Sequence, residues 1–127
     1  MSDPCFLTVE QVEALHRRSL ELFGGSDGTR DQNAFESAVA HPRNVYSYSQ
    51  GDLFDIAAAY CFHLAQAQAF VDGNKRTGAA AALVFLEING YSITGDSMKI
   101  HAALISIARG ETGKPDLADL LRELTSK

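Results

Sequence analysis

Two apolar runs meeting at a short polar turn constrain this chain more than any other feature. The turn is Gln68-Ala69-Phe70-Val71-Asp72-Gly73-Asn74-Lys75-Arg76-Thr77. Before it, Leu53, Ile56, Ala57, Tyr60, Leu64 and Ala67 recur at spacings of three and four, and Ala58, Ala59 and Ala65 fill the gaps. After it, Gly78 to Ile88 reads Gly-Ala-Ala-Ala-Ala-Leu-Val-Phe-Leu-Glu-Ile. Both runs predict helices that are apolar on most sides, and such helices belong at the centre of an all-α fold. Asp52 is the expected cap of the first, Asn74 the approximate start of the second, and Gly90 the residue past its end. The small residues of the second run allow another helix to approach closely. Between the runs, Asp72 to Arg76 gather an acid, a glycine, an amide and two cations. Free backbone N–H groups at a helix start, beside Lys75 and Arg76, suit an anion, and phosphate above all. Asp72 adds a hard oxygen ligand of the kind magnesium takes.

The flanking segments predict further helices. Thr8-Val9-Glu10-Gln11 has the form of a capping box. Val9, Val12, Leu15, Leu20 and Phe23 then supply an apolar face, and the helix is expected to end before Gly24-Gly25. His16, Arg17 and Arg18 lie on it, at least two of them on a solvated face. Asp31 is a plausible cap for a short helix through Ala40, with Phe35, Ala38 and Val39 inward. Pro42 is expected to stop that helix, because a residue before proline disfavours helical backbone. Arg43 to Gln50 then reads as a polar, aromatic loop or flap, with Tyr46 and Tyr48 permitting a stub of strand. Near the C-terminus, Met98, Ile100, Leu104, Ile105 and Ala108 predict a helix from Asp96 to Ala108. Leu117, Leu120, Leu121 and Leu124 predict a last one from about Asp116 to Leu124. Gly110 to Pro115 superficially resembles a nucleotide loop, but Ala108 stands where the first glycine is required and Pro115 where Ser or Thr should follow the lysine. It reads as a linker.

Composition narrows the function classes. A chain of 127 residues is expected to form one domain, 1–127, with a core of its own. A net charge of -5 argues against direct nucleic-acid binding, which needs a basic footprint. Cys5 and Cys61 are too few and too far apart for a zinc site or a disulfide framework. No apolar run approaches the roughly 20 residues of a membrane span, and the polar start Met1-Ser2-Asp3-Pro4 lacks a signal peptide's pattern. A cytoplasmic location is the expectation.

At Phe70 to Thr77 the chain strongly resembles the death-on-curing (Doc) branch of the Fic superfamily, whose motif is His-x-Phe-x-(Asp/Asn)-(Gly/Ala)-Asn-Lys-Arg. The resemblance extends in register to Phe6-Leu7-Thr8, Gly24-Gly25, Gly28 to Asp31, Glu36-Ser37-Ala38 and Leu83 to Tyr91. It implies a compact Fic/Doc-type bundle of about six helices. It also implies a toxin of a toxin–antitoxin pair that transfers phosphate from ATP, with Mg2+, to a threonine of elongation factor Tu. By position, Asp72 would hold the metal. Gly73 and Asn74 would shape the anion-binding turn, Asn74 contacting phosphate. Lys75 and Arg76 would neutralise charge on the transferring group, and Phe70 would anchor the loop. AMP-transferring Fic enzymes carry glycine in place of Lys75, so the lysine speaks for phosphate transfer. The family's inhibitory Ser/Thr-x-x-x-Glu-(Gly/Asn) motif is absent. Control is therefore expected from a separate small antitoxin with a disordered tail that folds on binding, seated on the first two helices and the flap.

The chain departs from the motif at Gln68, where the family has the histidine that acts as general base. An amide does not titrate near neutrality, and general-base help is worth roughly 10²–10⁴-fold in rate. His63, five residues earlier, would be displaced by roughly 7.5 Å and about 140° around the helix. His41, beside the expected flap, is the more interesting substitute, and His101 lies too far along the chain to judge. Gln68 is consistent with an attenuated natural homologue, with an introduced or selected inactivating change, or with slow transfer in which the substrate loses its proton unaided. Two other readings stand beside the impaired phosphotransferase: a non-catalytic module that binds nucleotide or antitoxin, and an AMP-transferring Fic enzyme.

Overall fold

A computed structural model describes residues 3–93, Ala102, Ser106 and 113–126. Among them the elements run α1 (Val9–Phe23), α2 (Gln32–Ser49), α3 (Leu53–Ala67), α4 (Asn74–Ile88), β1 (Ser92–Ile93), α5 (Lys114–Leu124) and β2 (Thr125–Ser126). The fold is all-α, as expected. The two short strands form one antiparallel ladder pairing Ser92 with Ser126 and Ile93 with Thr125. The helix expected over 96–108, with Met98, Ile100, Leu104, Ile105 and Ala108, lies outside the described residues apart from Ala102 and Ser106, which are helical.

α3 is the central element, packed against α2, α4 and α5. Its residues Ile56 to Cys61 are wholly buried, which is why the sequence shows no polar face there. Asp52 caps it with bonds from the Phe54 and Asp55 N–H groups, and Asp55 returns a bond to the Asp52 N–H. α4 crosses α3 closely at Gly78, where a Cβ would stand 2.7 Å from the Cys61 carbonyl oxygen. Only a residue without a side chain lets the two backbones meet so closely. α5 lays Leu117, Ala118 and Leu121 on the same core.

The N-terminal segment is tied to this centre by the Leu7 N–H, which donates to the buried Tyr60 hydroxyl at 2.9 Å. Asn89 clasps Cys5 from both sides, accepting from its N–H at 2.8 Å and donating to its carbonyl at 3.0 Å. α1 forms with the predicted capping box, the Gln11 N–H donating to Thr8 Oγ1 and the Thr8 N–H to Gln11 Oε1. It ends at Phe23, before Gly24.

Two boundaries depart from expectation. α2 does not stop before Pro42; it continues to Ser49, so Arg43 to Ser49 is helix rather than flap or strand. Pro42 is buried, and Val45 and Tyr46 beyond it pack on the core. Interior proline costs about 3 kcal/mol in helix propensity, and the burial of Pro42 with the core packing of Val45 and Tyr46 opposes that cost. The helix ends at Gln50 in the left-handed region, where the Gly51 N–H bonds back to the Val45 carbonyl. At the other end of the chain, Lys114 and Pro115 open α5 instead of belonging to a linker. Proline is tolerated there because the first turn's N–H groups have no helical partner to lose.

Candidate functional site

α3 delivers the site loop and α4 receives it. Gln68 closes α3 in the left-handed region, φ 48 and ψ 40, which turns the chain sharply out of the helix. Ala69 and Phe70 are then buried. The Ala69 carbonyl accepts from the N–H groups of Arg30 and Asp31, and the Val71 N–H donates to the Gly28 carbonyl at 3.0 Å. The loop thus runs as one rung beside residues 28–31, with Thr29 bridged to Phe70. The Phe70 ring is held between Phe35 and His16, the latter stacked on it at 3.7 Å with a 6° tilt.

Asn74 fixes the turn from the other side. Its Oδ1 accepts from the Phe70 N–H at 3.0 Å and its Nδ2 donates to the Phe70 carbonyl at 2.9 Å. Gly73 sits at the N-cap of α4 with no side chain to cap it. The first N–H groups of α4 are therefore left for another acceptor, which is the condition for binding an anion at a helix start. Thr77 is wholly buried and donates its hydroxyl to the Gly73 carbonyl at 2.8 Å.

The turn opens on a cavity of about 690 Å³ whose lining includes Gln68, Asp72, Gly73, Lys75 and Arg76, with Phe23 at its side. That volume is in the roughly 300–1,000 Å³ range of small-molecule sites. Asp72 is exposed there. Its Oδ1 accepts from the Gly73 N–H at 3.0 Å and its Oδ2 from the Ser26 N–H at 3.2 Å. The loop reaches this close because of Gly25, at φ +119, where a Cβ would stand 2.8 Å from Asp72 Oδ2. Arg76 is anchored to the end of α1: its Nε donates to Ser19 Oγ and an Nη to the Gly24 carbonyl, each at 2.9 Å. Its guanidinium also lies 5.4 Å from the centre of the Phe23 ring. Lys75, by contrast, is exposed, and no hydrogen bond or ion pair among the described residues holds it. Phe23, expected inward on α1, is instead 68% exposed beside Arg76.

The two histidines weighed as substitutes for the base, His41 as the candidate and His63 as displaced from it, both lie elsewhere. His41 and His63 line a separate recess between α2 and α3, and no histidine among the described residues lines the cavity at Gln68. Burial, reinforced by His41 and Lys114, pushes His63 down to about 4. His101 lies outside the described residues. One residue at the site escapes sequence reading: His16, almost wholly buried, donates its Nε2–H to the Asp72 carbonyl at 2.8 Å. The signal available was its place in a buried stripe with Val12 and Ser19 at helical spacing.

Comparison with known proteins places these features in a family. A model described as the Fic/DOC family matches residues 6–86. The protein kinase doc of Escherichia phage P1 is 32% identical over 119 residues, covering 93% of this chain and 94% of that protein. Toxin Doc of Mycolicibacterium smegmatis is 46% identical over 76 residues, or 58% of each chain.

Proposed function

This chain belongs to the Fic/DOC family, and we propose that it is a Doc-type toxin whose cavity binds ATP with Mg2+ and passes phosphate to a hydroxyl of a translation factor. By family resemblance that factor is elongation factor Tu, the setting is the cytoplasm, and the partner that restrains the toxin is a small antitoxin with a disordered tail. The observation that carries the reading is the uncapped start of α4, opening on a cavity beside Lys75 and Asp72.

The residues present fit the magnesium that this chemistry uses. Asp72 is exposed, each of its oxygens accepts a single bond from the backbone, and a carboxylate oxygen has room for more. Among the described residues no group of three or more acids, histidines and cysteines forms a protein cage. One carboxylate plus substrate phosphates is how magnesium is commonly held. When bound at Asp72, the ion supplies charge neutralisation to the phosphates.

The chain's own residues do the rest. The α4 N–H groups and Lys75 hold the phosphates, and Arg76 adds positive charge at a position fixed by α1. In the transfer a bond forms from the target hydroxyl oxygen to the γ-phosphorus, the bond to the bridging oxygen of ADP breaks, and the hydroxyl proton must leave. Gln68 can orient the hydroxyl by a hydrogen bond but cannot take its proton. The proton then passes to a phosphate oxygen of the substrate, and the reaction is slow.

The lack of a histidine among the described lining residues favours one second reading, a homologue that binds nucleotide or antitoxin without turnover. Incubation of the chain and its Gln68→His variant with ATP, magnesium and elongation factor Tu separates the two. Mass spectrometry of the factor is expected to show added phosphate, faster with the variant. ATP binding without any transfer by the variant would establish the binding module instead, and an added AMP would assign the chain to the other Fic chemistry.

A further inference from the structure

The recess between α2 and α3 has a volume of about 310 Å³ and shares no lining residue with the cavity at α4. Ser37 and His41 line it from α2, and His63 and Gln66 from α3. These pairs lie four and three residues apart, so each helix turns one polar ridge inward. The His41 and His63 rings touch, with centroids 3.7 Å apart. From a third helix, Lys114 at the start of α5 brings its Nζ to 3.2 Å from His63 Nε2. An ammonium only donates, so His63 Nε2 accepts and the imidazole proton sits on Nδ1. No ion pair among the described residues brings a carboxylate to Lys114, His41 or His63.

Three basic side chains from three helices therefore converge, and among the described residues no ion pair brings an acid to them. Burial, and after it repulsion by His41 and Lys114, disfavours protonation of His63, and a bound anion would offset the repulsion. We propose that this recess is a second anion site, for a small oxyanion such as a phosphate or carboxylate group. Lys114 and His41 bind the charge, Ser37 adds a hydroxyl donor, and His63 becomes able to take a proton once Lys114 turns to the anion. The bound group links α5 to α2 and α3. The site is independent of the proposed ATP chemistry and does not need Gln68 to be active.

The test follows the His63 imidazole by NMR in the full chain while inorganic phosphate, acetate or chloride is added at matched ionic strength. The His63 titration midpoint, about 4 without ligand, is expected to rise with the oxyanion by about one unit, a tenfold gain in proton affinity. It should stay put with chloride. A response to phosphate alone assigns the site to phosphate groups, and a response to acetate alone assigns it to carboxylates. Lys114→Gln should abolish the shift, and His41→Gln should weaken it. Because Lys114 opens α5, circular dichroism checks that the helix survives; His41→Gln, on α2, gives the same readout where it does not. No shift beyond chloride, or a shift kept in both variants, overturns the proposal.

Discussion

Gln68 occupies a backbone position, φ 48 and ψ 40, that most side chains adopt reluctantly, and it lines the cavity. Its departure from the family motif was legible in the sequence; its left-handed backbone was not. His16 was not legible as a site residue: helical spacing tells which positions face inward, not which partner they meet. His16→Phe keeps a ring against Phe70 but removes the donor to the Asp72 carbonyl. It is expected to lower stability by about 1–3 kcal/mol and to weaken ATP binding, measured by denaturant melts and calorimetric titration. His63 carries a pH prediction. Its midpoint falls from the usual 6.5 to about 4 on folding, so the unfolded chain binds the proton first as pH drops. The stability gained from keeping His63 neutral is complete above pH 6.5 and is lost as pH falls toward 4. Thermal melts across that window should show a smaller decline for His63→Phe than for the unaltered chain.

At the scale of elements, α3 and α4 were readable because both are buried on most sides, and burial writes itself as unbroken apolar sequence. The second half of α2 was not. Pro42 is a strong local stop signal, but the contacts of Val45 and Tyr46 with the core, and the Tyr46 hydroxyl's 2.7 Å bond to Asp3, are made with residues distant in sequence. Local rules cannot weigh them. The α3–α4 crossing gives the sharpest element-level prediction. Gly78→Ala improves helix propensity by about 1 kcal/mol, yet its Cβ would press on the Cys61 carbonyl at 2.7 Å. Overpacking is expected to win, for a net loss on the order of 1–2 kcal/mol, read as a lower denaturation midpoint with an unchanged slope.

Across the whole molecule, the site's chemistry is local and its geometry is not. Asp72 to Arg76 are consecutive, but His16, Ser19, Gly24 and Ser26 hold them from 46 to 57 residues away. That is why the sequence disclosed the run of residues in the turn and left their mounting on α1 and the loop after it unread. The far end of the molecule has its own clasp, Arg122 of α5 on Asp52 and Asp55 at the start of α3. These groups are substantially exposed, so Arg122→Ala should cost no more than about 1 kcal/mol, and less in high salt. The central claim joins both ends of the motif: a site equipped to bind ATP, slowed because Gln68 cannot take a proton. Single-turnover phosphate transfer by the chain and by Gln68→His, followed across pH, tests it most directly. The account predicts a gain of roughly 10²–10⁴-fold with histidine, together with a rate that rises through an ionisation absent from the unaltered chain. Equal rates in the two forms, or no transfer by either, would contradict it.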